Sequence, residues 1–409
     1  MSRIRQNRFS DPTGERPRLV LFYHRDTRNK FHGEAVYVRQ FIVSLKTPFD
    51  LVTVAPGGGE LDPPRFSGLL PDSVETLGLQ ARVLLGMKGI LPSEQRSVIV
   101  VADVYLYLVP MLIARIRQVP LVFLCSDLPG RYAASWAGSQ KGRGSLMRIL
   151  RSVLDGLSFA TCDAVVVRTD AMRAALASNP RWKHLTTWIA PHRPVQSFPD
   201  GERIRSFQRE RALPPGPLLV FAGDCHYPPN AEAVRYILRD LAPALATSSP
   251  TACIVIVGPG SESWTKEAGP NVRLLGPVDD ISSLFYGAHV GLAPIRVEGG
   301  VSSKVIDYLA HGLTVVATPE AAVGQPDQAR LVVLPFSRFR EGVEELLRSG
   351  KVFPALDTYL AERGMERDRG DEEHWTRFIG ELFQIANDPG GFKRSGPPSS
   401  GRTRARPPG

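Results

Sequence analysis

The chain has 409 residues, 43% of them hydrophobic and 22% charged, with a net charge of +9. That is the composition of a soluble globular protein, and the length exceeds one ordinary core, so two domains are expected. The basic excess suits an anionic ligand, a membrane surface or nucleic acid and does not choose among them. Cys125, Cys162, Cys225 and Cys253 are widely spaced in or beside apolar runs. They form no zinc pattern and read as reduced thiols of a cytosolic protein.

Residues 1–16 are polar and basic, lack an apolar signal segment and are expected to be disordered. Arg18–Tyr23 reads as a strand, His24–Glu34 as a polar loop containing Gly33, Ala35–Leu45 as a helix and Leu51–Val54 as a second strand. Ser97–Ala114 is the most apolar stretch. Asp103 and Pro110 divide it into a strand, Val98–Ala102, and a helix near Leu106–Gln118, which argues against a membrane span. The strand Leu121–Leu124 runs into a polar loop with Asp127 and Arg131. Polar residues at the carboxyl end of a parallel strand are placed to meet a ligand, so Asp127 is a candidate for acceptor contact; a surface turn is the competing reading. Lys141–Leu157 is a basic amphipathic helix, suited to a domain core or to a membrane surface. Ala164–Val167 and Asp170–Leu176 follow as strand and helix. Prolines 191, 194 and 199 mark the exit from a first domain, 17–199, and charged Asp200–Arg211 reads as a connector.

The second domain, 200–387, alternates more cleanly. Strands are expected at Pro217–Ala222, Ala252–Val257, Val272–Leu275, Val290–Ile295, Thr314–Ala317 and Leu331–Leu334, with helices between them. This pattern specifies an α/β fold with two Rossmann-like domains. One stretch carries chemistry: Arg296–Val297–Glu298–Gly299–Gly300–Val301–Ser302–Ser303–Lys304–Val305–Ile306–Asp307. A glycine turn between strand and helix lets backbone approach a ligand. The helix start offers open N–H groups and the positive end of its dipole, an arrangement that binds phosphate. Ser302 and Ser303 are expected to cap the first turn. Lys304 adds a full charge, and Asp307 shares a helix face with Ser303 and Lys304, suited to sugar hydroxyls. An ordinary strand-to-helix loop is the alternative. Helices at 357–386 close the domain, and the basic tail 388–409, rich in Gly, Pro and Ser, is expected to be disordered.

The second half resembles the C-terminal domain of GT-B glycosyltransferases, the family 4-like retaining enzymes. The resemblance rests on Phe221–Ala222–Gly223–Asp224–Cys225–His226–Tyr227–Pro228–Pro229–Asn230, Val255–Ile256–Val257–Gly258, Leu275–Gly276–Pro277–Val278–Asp279–Asp280, and Lys304–Gly312 with Val315–Pro319. It implies two facing Rossmann-like domains with a nucleotide-diphosphate sugar in the cleft. Gly33, Gly223, Asp224, His226, Gly299, Gly300, Val301, Ser302, Ser303 and Asp307 would contact the donor. Lys304, Glu298 and Asp127 would carry the chemistry. Asp307 falls where the family has a ribose-binding glutamate, and Glu298 sits one position from the family's earlier acidic residue. Asp224 and His226 occupy places where many members carry Arg and Lys, so Lys304 would supply the charge on the diphosphate. No cofactor and no metal are implied. The expected partners are the donor and a hydroxyl acceptor, lipid-linked or glycan, with no nucleic acid. The expected location is cytoplasmic, with peripheral contact at the inner face of the membrane. The rival readings are a catalytically silent GT-B partner in a polysaccharide-assembly complex and a sugar-nucleotide 2-epimerase.

Overall fold

Short runs of Val, Ile, Leu and Phe become strands buried on both faces, and the helices between them supply the cover. The computed structural model describes residues 16–23, 33–45, 48–54, 91, 95–102, 107–125, 143–190, 199–296, 301–325, 329–350, 352 and 369–388. Among these, twelve strands form two six-stranded sheets, parallel throughout.

The first sheet contains β1 (Arg18–Phe22), β2 (Asp50–Val54), β3 (Ser97–Val101), β4 (Leu121–Leu124), β5 (Ala164–Val167) and β6 (Thr186–Ile189), in the order β2-β1-β3-β4-β5-β6. Alternation along each strand splits the core in two. Val20, Phe22, Ile99, Val101, Leu121, Phe123, Val165 and Val167 face one layer, with Met172 and Leu176 from the helix Asp170–Ser178. Leu19, Leu21, Val98, Val100, Val122, Leu124, Ala164 and Val166 face the other. That second layer is covered by α1 (Gly33–Leu45) and by the last described helix, Arg369–Asn387. Trp375 and Phe378 pack edge-on against Phe41 of α1, with ring centroids 5.0 and 5.4 Å away. The helix that closes the chain's second half in sequence therefore belongs, by packing, to the first sheet.

Just before the prolines of the expected exit, Trp188 and Ile189 end β6. The expected connector is a helix, Gly201–Glu210, whose start is capped by Asp200 accepting from Arg203 N–H at 2.7 Å. Its charges mask an apolar pair at i, i+3: Ile204 and Phe207 are buried. Gln208 donates to the Gly287 carbonyl at 3.1 Å and fastens this helix to the second half.

The second sheet contains β7 (Leu218–Ala222), β8 (Cys253–Val257), β9 (Val272–Leu274), β10 (Val290–Ala293), β11 (Thr314–Ala317) and β12 (Leu331–Val333), ordered β12-β11-β10-β7-β8-β9. The chain leaves β7 toward β8 on one side and later returns to β10 on the other. The crevice between the loops after β7 and β10 is thus a topological switch point, where doubly wound sheets bind ligands.

Removing the Trp375 indole leaves a cavity between the terminal helix and the first sheet. Trp375→Ala is expected to lower unfolding free energy by about 3–5 kcal/mol. Denaturant titration checks this; a loss below about 1 kcal/mol would contradict the packing.

Candidate functional site

The loop after β7 is built around close backbone approach. A Cβ on Gly258, whose φ is +129°, would lie 2.1 Å from the Gly223 carbonyl oxygen. A Cβ on Gly223 would lie 2.8 Å from Asn230 Nδ2. Glycine at both positions lets the ends of β7 and β8 meet beneath the loop. Asp224 Oδ1 accepts from His226 N–H at 2.9 Å and lies 3.0 Å from His226 Nδ1, which makes the loop an Asx turn. His226 itself is largely exposed. The Cys225 thiol is pushed up to about 12 by burial and then by Asp224, opposed by Lys304, which favours the protonated form.

Helix α2 (Ser303–Ala310) starts on the other side of the crevice. Lys304 Nζ donates to Asn230 Oδ1 at 3.0 Å, while Asn230 Nδ2 donates to the Asp224 carbonyl at 2.9 Å. The buried Asn230 amide thus spans the switch point, holding the loop after β7 with one end and the ammonium with the other. The ammonium also lies 5.4 Å from the centroid of the Phe221 ring. Tyr308, one turn further along α2, accepts from the Ala222 N–H at 2.7 Å. Gly291 makes room for that ring, since a Cβ there would lie 2.3 Å from Tyr308 Cδ2.

Ser302 occupies the N-cap position, but its side chain makes no capping hydrogen bond, contrary to the expectation from sequence. Its backbone, at φ −72° and ψ 104°, is in the extended region, while the hydroxyl is buried and has no hydrogen-bond partner among the described residues. Ser302 thus gives the first-turn N–H groups no side-chain cap. An uncapped helix start, a buried hydroxyl and a tethered ammonium form a donor set that fits phosphate oxygens. Ser303 and Asp307 are half-buried on the same helix, and Val301 packs into the first sheet's core layer with Val167 and Met172. The stem before the helix is pinned too. Thr318 Oγ1 donates to the Ile295 carbonyl, and Arg296 pairs with Glu232 at 2.9 Å.

The far end of α2 is held by His311. Its Nδ1 lies 2.6 Å from the Asp307 carbonyl, which can only accept, so Nδ1 carries the proton. Nε2 then accepts from the Ser282 hydroxyl at 2.9 Å.

Of the residues selected from sequence, Gly223, Asp224, His226, Val301, Ser302, Ser303, Lys304 and Asp307 come together around this crevice. Gly33 opens α1 at the carboxyl edge of the first sheet. Glu298, Gly299, Gly300 and Asp127 lie outside the described residues, as do residues 1–15 and 389–409 of the expected disordered ends. Sequence reasoning missed Asn230 and His311. The Pro228–Pro229–Asn230 helix start was visible, but not that its amide reaches a lysine 74 positions away. Among the described residues no cluster of three His, Cys, Asp or Glu could hold a metal, and no helix is long and apolar enough to cross a membrane.

Known proteins share this fold. Residues 216–349 match the family described as Glycosyl transferases group 1. No curated protein matches the chain. Among solved structures, Anabaena HepE in complex with UDP and glucose superposes with a TM-score of 0.59 at 12% identity, covering 90% of this chain and 99% of that one. WaaG, a glycosyltransferase involved in lipopolysaccharide biosynthesis, gives 0.60 at 14% identity, covering 91% and 98%. Sucrose-phosphate synthase from Thermosynechococcus elongatus gives 0.59 at 16% identity, covering 93% and 98%. The chain has the GT-B fold expected from its motifs.

Burial holds the His311 imidazole below its ordinary value of 6.5, against the opposing pull of Asp307. Below that pH the unfolded chain takes up a proton that the folded chain resists, so stability falls as pH drops. Urea midpoints compared at pH 7.5 and 5.5 should decrease for the wild type and decrease less for His311→Asn. Equal pH slopes in the two proteins would refute the assignment.

Proposed function

We propose that this GT-B protein, whose second half carries the group 1 glycosyltransferase domain, moves a sugar from a nucleotide-diphosphate sugar to a hydroxyl acceptor with retention of configuration. The observation that carries the reading is the Lys304–Asn230 bridge across the switch point, beside a helix start without a side-chain cap. HepE, whose complexes hold UDP with glucose and UDP-glucose, supports a nucleotide-sugar donor for this chain by fold.

In this mechanism the bond from the anomeric carbon to the diphosphate breaks, and the acceptor oxygen bonds to the same face of the sugar. The acceptor proton passes to the departing phosphate oxygen. Negative charge grows on the diphosphate, where Lys304, the helix dipole and the first-turn N–H groups stabilise it. Asn230 keeps the ammonium from swinging away, which preserves its alignment. Ser302 and Ser303 give hydroxyls to the phosphates, and Asp307 accepts from ribose hydroxyls. Gly299 and Gly300 let the loop backbone close on the diphosphate. Glu298 faces the transferred sugar, Asp127 the acceptor, and Gly33 approaches the donor from the first domain. No metal takes part. The acceptor belongs to cell-envelope or exopolysaccharide synthesis.

The reading includes peripheral contact with the inner face of an anionic membrane. Its support is the helix Leu108–Arg117. Leu108, Leu112 and Ile116, at i, i+4 and i+8, are 44%, 47% and 65% exposed, and Val153 on the neighbouring helix Arg143–Thr161 is 60% exposed. Arg115 and Arg117 flank that stripe, an arrangement suited to anionic headgroups.

A second reading is a catalytically silent partner in a polysaccharide-assembly complex. It is favoured by the commitment of Asp224 to its turn and by the absence of Arg or Lys from the described loop after Gly223. Nucleotide binding without turnover of any acceptor would select it.

A thermal-shift screen against UDP-, GDP- and ADP-sugars identifies the donor; no shift at millimolar levels would count against both readings. With the donor in hand, Lys304→Ala should lower kcat/KM for donor hydrolysis by about 10²–10³-fold. Asn230→Ala should lower it by roughly tenfold, the cost of a lost tether. Wild-type turnover in Lys304→Ala would defeat the mechanism. Leu112→Glu with Ile116→Glu should release the protein from phosphatidylglycerol vesicles in a flotation assay while leaving donor hydrolysis intact; undiminished flotation would remove the membrane face.

A further inference from the structure

The first sheet holds a buried cation that the donor site does not use. Arg168 follows Val167 at the carboxyl end of β5 and is 6% exposed. Strand alternation turns it to the layer covered by α1, where its guanidinium carbon lies 4.3 Å from the centroid of the Tyr37 ring. Tyr37 is itself anchored, its hydroxyl donating to the Ala190 carbonyl at the end of β6. The Arg168 Nε is buried and has no hydrogen-bond partner among the described residues. The carboxylate nearest in sequence, Asp170, is engaged by Arg173 at 2.5 Å and lies 4.0 Å from His374. A buried guanidinium with no anion beside it among the described residues is strongly unfavourable, and ring stacking offsets only part of that. Its position names the source of the missing anion. Cys125 N–H donates to the Val166 carbonyl and Ala190 N–H to the Val167 carbonyl, so the ends of β4, β5 and β6 lie together around it. The next residue, Thr169, touches Gly324 of the second half: a Cβ there would lie 2.8 Å from Thr169 Cγ2. The guanidinium therefore stands at the carboxyl edge of a parallel sheet, at the junction with the donor-binding half, where such sheets receive ligands.

We propose that Arg168 is the acceptor-side anion site, receiving a phosphate carried by the acceptor molecule. The inference rests on the glycosyl-transfer reading and adds the acceptor's chemical class: a hydroxyl compound bearing a phosphate ester or diphosphate. The planar fork of arginine suits phosphate oxygens, and the Tyr37 ring fixes its plane. A soluble sugar phosphate and a lipid-linked diphosphate share this chemistry.

The test saturates the full chain with whichever of UDP, GDP or ADP it binds, so that the donor site is filled. It is then titrated calorimetrically with glucose 6-phosphate and with farnesyl diphosphate, using glucose and farnesol as neutral controls. At least one phosphorylated probe should bind tenfold or more tighter than its control, and which one does so separates the soluble from the lipid source. Arg168→Gln should abolish that preference while nucleotide affinity stays within twofold. If Arg168→Gln does not fold, Arg168→Lys decides: it keeps the charge, loses the fork, and should reduce the preference at least threefold. A preference undiminished in the folded variant, or no phosphorylated probe preferred by the wild type, overturns the proposal while leaving the donor reading standing. A wild-type chain that binds none of the three nucleotides overturns both.

Discussion

The hydrogen bond from Lys304 to Asn230 joins the two loops that flank the switch point of the second sheet. The Lys304 ammonium sits on a flexible four-carbon stem, so its position over the crevice needs a partner to hold it. Asn230 selects that position because its own amide is fixed by the Asp224 carbonyl. That geometry needs Gly223, since a Cβ there would collide with the Asn230 side chain. It also needs Tyr308, whose hydroxyl ties the helix carrying Lys304 to the end of β7. The crevice is therefore preorganised by neighbours that need not touch substrate themselves, which is how an electrostatic site avoids reorganising during reaction.

The two halves are joined by more than a chain crossing. The helix after residue 369 packs on the first sheet through Trp375, Phe378, Leu382 and Ile385. Val301, just before α2, packs into the first sheet's other core layer, with Ile306 against it. Separating the halves would expose this apolar surface, so the hydrophobic effect favours the arrangement in which the start of α2 meets the first sheet.

Most strands were legible because parallel strands buried on both faces are short, continuous apolar runs. Leu121–Leu124, Ala164–Val167 and Thr314–Ala317 fall where the sequence placed them. β6 was missed because Thr186 and Thr187 dilute its apolar pattern and prolines follow it. The helix 201–210 was missed because eight of its ten residues are Gly, polar or charged, leaving Ile204 and Phe207 as its only apolar signal. Around the crevice, Gly223, Ser302, Lys304 and Asp307 were singled out from local sequence patterns. Asn230, His311 and Arg168 were not, because each takes its meaning from partners on other elements.

The sequence alone determined the alternation of strands and helices, the two-sheet α/β class and the position of the glycine-rich segment between β10 and α2. These follow from local periodicity and turn chemistry, which neighbouring residues encode. Tertiary structure decided the return of the terminal helix to the first sheet, the Asn230 tether, the missing side-chain cap at Ser302 and the burial of Arg168. Each of these depends on which distant groups come within hydrogen-bonding or packing distance, and no local pattern carries that information.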